Sequence, residues 1–395
     1  MAIDGYAGAR VRTLRFPGVL AVWIGLVHGG CDPSPTRVDS PQTRDPAPAE
    51  AAPEAQPEAK PERQAAAKPE AAAPEKPAVA PTKQAEPATS SIATRLGKVR
   101  SDPAPRHLVR DTHYWISNEQ SHFLWHESVS GVGGAFVGVA TDQNYLLAAW
   151  ANSELLVLMD FDAGVVDLHH AYGVFFRASE TTTEFLRWWS EAGQEEAIAR
   201  LKAELGEQAP ASIEAYRNAR SLVAERLAKV DAVYRERSIP TFLSDAKQYE
   251  HIRGLWQDGR VLAIRGDLTA DATMVDLGQA LRDESLEVGV LYLSNAEQYF
   301  KYTPRFRRNI VGLPMSERGV VLRTHGWKQF GYVADEEYHY NVQPASLFSQ
   351  WMAEGHAWGV PKMLEHRNKT GIRGSSILDE PPPKVPGRGR PKLAP

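Results

Sequence analysis

Five apolar runs, each closing on polar or acidic residues, constrain this 395-residue chain more than any other feature. They are Gly134–Val139, Glu154–Asp160, Arg260–Asp267, Val288–Asn295 and Arg318–Thr324. Successive side chains of a strand point to opposite faces, so a continuous apolar run needs cover on both. The series predicts an α/β fold with a mostly parallel sheet between helices. Tyr145–Ala151 reads as the start of a helix linking the first two strands. Between the second and third, Ile213, Tyr216, Ala219, Val223, Leu227, Val230 and Tyr234 recur at three- and four-residue spacing. That is the stripe of a helix ending before Pro240. Residues 180–245 read as a helical insertion, either a lid over the strand ends or plain packing.

The polar residues at the strand ends are the candidate ligand contacts. After the first strand comes Gly138-Val139-Ala140-Thr141-Asp142-Gln143-Asn144; the second closes on Asp160, the third on Asp267, the fourth on Ser294-Asn295. In this order the segments resemble a class I S-adenosylmethionine-dependent methyltransferase over residues 130–330. The resemblance implies a doubly wound, Rossmann-like sheet of methyltransferase type that binds S-adenosylmethionine. It implies that the turn from Gly138 to Asn144 approaches the methionine part and that Asp160 holds the ribose hydroxyls. Asp267 would then lie near the adenine, with Ser294 and Asn295 supplying a polar motif. One fixed carboxylate can accept from two vicinal hydroxyls, and open α/β sheets bind ligands beyond the carboxyl ends of their strands.

The residues alone leave several roles open. Asp142, Gln143 and Asn144 either bind a polar ligand or cap the following helix. Of Asp160 and Asp162, one faces the site while the other caps the next helix. His169 and His170 are neighbours on a helix and project about 100° apart, which suits one ligand at most. No metal site is expected, and no serine sits in a nucleophile-elbow pattern. The patch Asp335-Glu336-Glu337-Tyr338-His339-Tyr340-Asn341 is either a substrate wall or an ordinary surface strand.

The two ends of the chain differ in kind from its middle. Arg10, Arg12 and Arg15 precede an apolar run, Phe16–Val27, and then His28-Gly29-Gly30-Cys31, the one cysteine in the chain. This resembles a bacterial lipoprotein signal, and the run is shorter than the roughly 20 residues that span a bilayer. Acyl chains on Cys31 would anchor the protein at about 0.8 kcal/mol per buried methylene. With no second cysteine there is no disulfide framework. Residues 32–100 are Pro, Ala, Glu and Lys with almost no aromatics, a composition that cannot offset its ordering entropy. They read as a disordered tether. The domain is expected over 101–378, followed by a basic tail, 379–395, in which Pro386-Gly387-Arg388-Gly389-Arg390-Pro391 resembles an AT-hook. There Arg388 and Arg390 would enter an A·T-rich minor groove.

These features point to a cell-envelope lipoprotein, held to a membrane by Cys31, whose α/β domain binds a small polar or nucleoside-like ligand. S-adenosylmethionine is a cytosolic cofactor, so an exported domain would have to bind something else or have lost methyl transfer. An active, cytoplasmic methyltransferase is the rival reading, and a DNA-associated protein using the tail is the third. An exported lipoprotein does not meet chromosomal DNA, so nucleic acid is not the expected partner.

Overall fold

The computed structural model describes Ile92 and residues 96–334 and 336–384. Cys31, nearly all of the expected tether, and Arg388 and Arg390 lie outside the described residues. Each of the five apolar runs forms a strand: β1 Ala135–Gly138, β2 Leu155–Asp160, β3 Val261–Arg265, β4 Val288–Ser294 and β5 Met315–His325. Three further strands follow, β6 His339–Pro344, β7 Asn368–Lys369 and β8 Ser375–Ile377. They make one eight-stranded sheet in the order β3-β2-β1-β4-β5-β6-β8-β7. The first five strands in that order are mutually parallel. β6 is antiparallel to β5, β8 is parallel to β6, and β7 is antiparallel to β8. The fold is therefore α/β with a mostly parallel, mixed, Rossmann-like sheet. Chain order reverses between β1 and β4, the topological switch point at which such sheets open a crevice.

Alternate residues of the central strands feed two separate cores. Phe136, Leu156, Leu158, Tyr292 and Leu322 pack on one face. Ala135, Val137, Leu155, Val157, Met159, Leu291 and Val321 pack on the other. Helices α1 Gln143–Ala151, α2 Ala163–Ala178, α3 Thr182–Trp189, α4 Gln194–Leu205, α5 Ala209–Glu236 and α6 Ala246–Gln257 contribute to the first core. Helices α7 Thr273–Asp283, α8 Pro304–Val311, α9 Ala345–Glu354 and α10 Val360–Leu364 contribute to the second. This double cover is what the unbroken apolar runs demanded.

The insertion is packing. Every residue of the expected stripe, Ile213 to Tyr234, is buried. The α3 end of the insertion is fixed by a reciprocal capping box between Thr181 and Glu184. Phe175 stacks on Trp188 with ring centroids 5.5 Å apart. No residue between 166 and 265 lines the cleft at the strand ends, so the insertion does not act as its lid.

Two sequence expectations are corrected at the margins. Leu96 and Val99, assigned to the tether, are buried in the second core. Asp102, 2% exposed, accepts from the backbone N–H groups of Asp267, Ala272 and Thr273, which ties this segment to the end of β3. The polar patch after 335 does contain a strand, but it is no surface strand: His339 to Gln343 are buried between β5 and β8. Its antiparallel pairing covers Val320 to His325 of β5.

Candidate functional site

A cleft of about 960 Å³ opens beyond the carboxyl ends of β1 to β5. Parallel strands end on the same edge, so the residues that closed the apolar runs arrive together. Gln143, Asp160, Asp267, Ser294 and Asn295 all line it. Gly138, Asp142 and Asn144 do not.

Asp160 is 9% exposed and uses both carboxylate oxygens on backbone. Oδ2 accepts from the N–H of Ala140 at 3.0 Å, and Oδ1 from that of Asp162 at 2.9 Å. Burial raises its pKa to about 6, with the neighbouring Asp162 charge adding and the backbone donors opposing. Each oxygen keeps a lone pair for a further donor. Asp162 is the helix cap of the pair. Its Oδ1 accepts from Gly164 N–H at 2.9 Å to cap α2, and its Oδ2 lies 2.7 Å from His113 Nδ1.

The turn after β1 is held without a glycine-rich sequence. Ala140 adopts φ +66° in the left-handed region, where an L side chain costs about 1–2 kcal/mol. Three contacts hold it there: Asp160 on its N–H, and both His169 Nε2 at 2.8 Å and Asn144 Nδ2 at 3.1 Å on its carbonyl. His169 is thus a core histidine, completed by Tyr145 Oη at 2.9 Å and pushed down to about 4 by burial, hence neutral. The resulting tautomer places its proton on Nε2. Asn144 also bonds the carbonyls of Val139 and Thr141, so it clamps the turn rather than capping α1. Gly138 makes that clamp possible, because a Cβ there would stand 2.1 Å from Asn144 Oδ1.

Asp142 turns into the protein. Its Oδ2 pairs with Arg226 Nε of α5 at 2.9 Å, and its Oδ1 accepts from Ser117 N–H at 2.8 Å. It offers no side-chain cap to α1. Gln143 donates to Tyr292 Oη at 3.1 Å. Asp267 closes a local turn on Thr269, whose N–H and hydroxyl both donate to Oδ1 at 2.8 Å. Asn118 and Asn295 both donate to Tyr338 Oη, at 2.5 and 3.3 Å, joining the segment before β1 to the loops after β4 and β5.

The central group beneath the cleft was not anticipated. Glu119 is fully buried and collects donors from four places: Ser294 Oγ at 2.7 Å, His122 Nε2 at 3.1 Å, and the hydroxyls of Tyr292 and Thr324. Burial alone would raise its pKa, but His122 and the two hydroxyls together hold it below the usual carboxylate value. Through this carboxylate, Ser294, itself at φ +48°, is fixed at the cleft floor. Left-handed residues thus stand on both sides of the switch point, a form of stored strain that gathers at ligand sites.

The cleft wall is acidic and aromatic. Asp160, Asp162, Asp267, Glu336 and Glu337 outnumber Arg110 and Arg373, and Tyr114, Phe161, Tyr299 and Tyr338 stand among them. Tyr299 is 51% exposed and Tyr114 38%. Among the described residues no group of three or more His, Cys, Asp or Glu could hold a metal ion. No described helix is long and apolar enough to cross a membrane. The family described as a domain of unknown function (DUF7790) matches residues 114–379, and no curated protein matches the chain.

Proposed function

From a chain that belongs to the DUF7790 family, we propose a domain that binds a nucleoside-bearing small molecule at its strand ends, in the manner of the methyltransferase-type sheet it resembles. The observation that carries this reading is the meeting of Asp160, Asp267 and Ser294 at the switch point, with Asp160 held by backbone and still able to accept two ribose hydroxyls.

Charge narrows the ligand. Five carboxylates against two guanidiniums repel a phosphate chain and attract a cation, and tyrosine faces add to cation binding. Nothing in the turn after β1 supplies the glycine-rich cradle that phosphates use. S-adenosylmethionine and S-adenosylhomocysteine meet this requirement, since both carry an adenosine and an ammonium group. Asp160 would take the ribose, Asp267 the region of the base, and Ser294 with Asn295 the polar edge beside it. The turn of Val139 and Ala140 borders the rest of the ligand. The cleft is large for one ligand, at the top of the usual range of about 300–1,000 Å³. That room for a second molecule favours a methyl-transferring enzyme as the alternative.

A thermal-shift screen of the full chain tests the reading. S-adenosylhomocysteine and S-adenosylmethionine should raise the melting temperature with the logarithm of their concentration, by about 2.7 kcal/mol of stability at a hundredfold excess over Kd. AMP and ATP should not. Stabilisation by nucleotides alone would overturn the assignment. Residues 1–31 support a cell-envelope location with an acylated Cys31 as the anchor; there S-adenosylmethionine is not at hand, and the two sulfur nucleosides stand in as probes for another cationic nucleoside. Cys31→Ala should then release the folded protein from the membrane fraction, and unchanged sedimentation with membranes would discard the anchor.

A further inference from the structure

Arg226, Lys229 and Val233 of α5 and Arg237 at its C-cap recur at spacings of three and four, with Tyr234 next to Val233, so they share one side of the helix. That face meets the segment of Gln120 to Phe123 across a second, smaller cavity of about 180 Å³. Arg226 is 6% exposed, and among the described residues only its Nε is used, on Asp142. Among the described residues neither Nη group, with four N–H donors between them, has a hydrogen-bond acceptor. Tyr234 is 1% exposed and lines the same cavity; the Phe123 backbone approaches its hydroxyl, whose own O–H has no acceptor among the described residues. Lys229 and Arg237 stand at the mouth, where Arg237 lies over the Phe123 ring at 4.4 Å. The one acid in the described wall, Glu336, is occupied by Ser121 Oγ, by Tyr340 Oη at 2.6 Å and by Gln120 N–H at 3.2 Å.

Buried donors without acceptors are costly unless something accepts from them. Here the Tyr234 phenol is such a donor, and the largely buried Arg226 guanidinium faces the same small space with two more cations at its entrance. We propose that this cavity is a binding site for a phosphate dianion, separate from the nucleoside cleft. Arg226 and Tyr234 donate from the floor, and Lys229 and Arg237 close the charge from the rim. A dianion fits three cations better than a carboxylate does, and a planar guanidinium suits two phosphate oxygens at once. The cavity volume corresponds to about six waters, enough for one phosphate with part of its hydration. Gln120 and Glu336 line both this cavity and the cleft, so the two sites share a wall of opposite electrical character on its two sides.

Calorimetric titration of the full chain with inorganic phosphate, at fixed ionic strength in chloride, is the test. We expect saturable binding, at least tenfold weaker for acetate, about tenfold weaker in Lys229→Gln, and about fivefold weaker in Tyr234→Phe. Tyr234→Phe keeps the buried ring and removes only a hydroxyl whose O–H has no acceptor among the described residues, so the variant folds and the result is readable. Asp160→Ala should leave phosphate binding unchanged. Phosphate binding no better than chloride, acetate binding as tight as phosphate, or wild-type affinity in both Lys229→Gln and Tyr234→Phe would overturn the site. Binding to phosphatidylglycerol vesicles without binding of free phosphate would also overturn it, because a lipid phosphodiester carries a single charge.

Discussion

The carboxylate of Asp160 accepts a hydrogen bond from the backbone N–H of Ala140 at 3.0 Å, so the acid that ends β2 holds the left-handed turn that follows β1. The ligand-facing acid and the strained turn are therefore one unit, and changes in either are felt at the switch point.

The first consequence concerns Ala140. Glycine reaches φ +66° without the steric cost an alanine bears. Ala140→Gly should raise the unfolding free energy by about 0.5–1 kcal/mol, read as a higher urea midpoint at unchanged slope. A loss of stability would mean that the methyl group packs against something more valuable than the strain it causes.

The second concerns pH. The Asp160 pKa rises from 3.8 to about 6 on folding, so the folded protein binds more protons than the unfolded chain between those values. By linkage, its contribution to stability falls as pH rises from about 4 to about 6, by on the order of 2–3 kcal/mol, and is flat outside that window. Asp160→Asn should remove this slope. Nucleoside binding runs the other way, because only the ionised carboxylate accepts from two hydroxyls. Affinity should fall as pH drops below about 6, with roughly three-quarters of a proton released on binding at pH 5.5.

The third concerns Glu119, whose shift has the opposite sign. Its pKa is lowered, so the stability it contributes is present above the usual carboxylate value of 4.5 and is lost as pH falls through its folded pKa. Glu119→Gln replaces an acceptor with a donor among the hydroxyls of Tyr292, Ser294 and Thr324. We expect a loss of about 2–3 kcal/mol in denaturant unfolding. Ligand affinity should fall as well, since Ser294 loses its anchor. A stable Glu119→Gln protein with unchanged affinity would show that this hub is dispensable.

The fourth concerns His325 at the end of β5. It is fully buried, stacks on His339 at 4.9 Å, and among the described residues has no hydrogen-bond partner on either ring nitrogen. Burial pushes it down to about 2, so it is neutral throughout the accessible range. An unsatisfied polar group of this kind costs about 1–3 kcal/mol, and His325→Phe should stabilise the protein by about 1 kcal/mol in thermal unfolding. Destabilisation would indicate an unseen partner for the imidazole.

How far the sequence revealed the molecule follows from which forces act locally. Burial on both faces writes itself into a strand as an unbroken apolar run, so β1 to β5 were legible. Because parallel strands end on one edge, Asp160, Asp267 and Ser294 could be placed at one cleft. β6 was legible only as a possible strand, since His339, Tyr340 and Asn341 are buried through hydrogen bonds that a hydropathy pattern does not record. Glu119 was missed because the stretch from Ser117 to His122 has no period and three of its four partners lie 173 to 205 residues away. Asp142 was read as a ligand contact or a helix cap and is neither; its partner Arg226, 84 residues distant, left no local sign. A signal for that pair does exist: Arg226 lies three residues after Val223 and four before Val230, a charge on the apolar face of α5 that needed a buried acid.

The central claim is that Asp160 holds the ribose of a bound nucleoside, and calorimetric titration of S-adenosylhomocysteine into wild type and Asp160→Ala at pH 7.5 tests it most directly. Two charge-assisted hydrogen bonds at roughly 1.5–3 kcal/mol each make the variant at least tenfold weaker, while its fold persists by circular dichroism. Equal affinity in a folded Asp160→Ala protein, or no nucleoside binding by the wild type, would contradict the account.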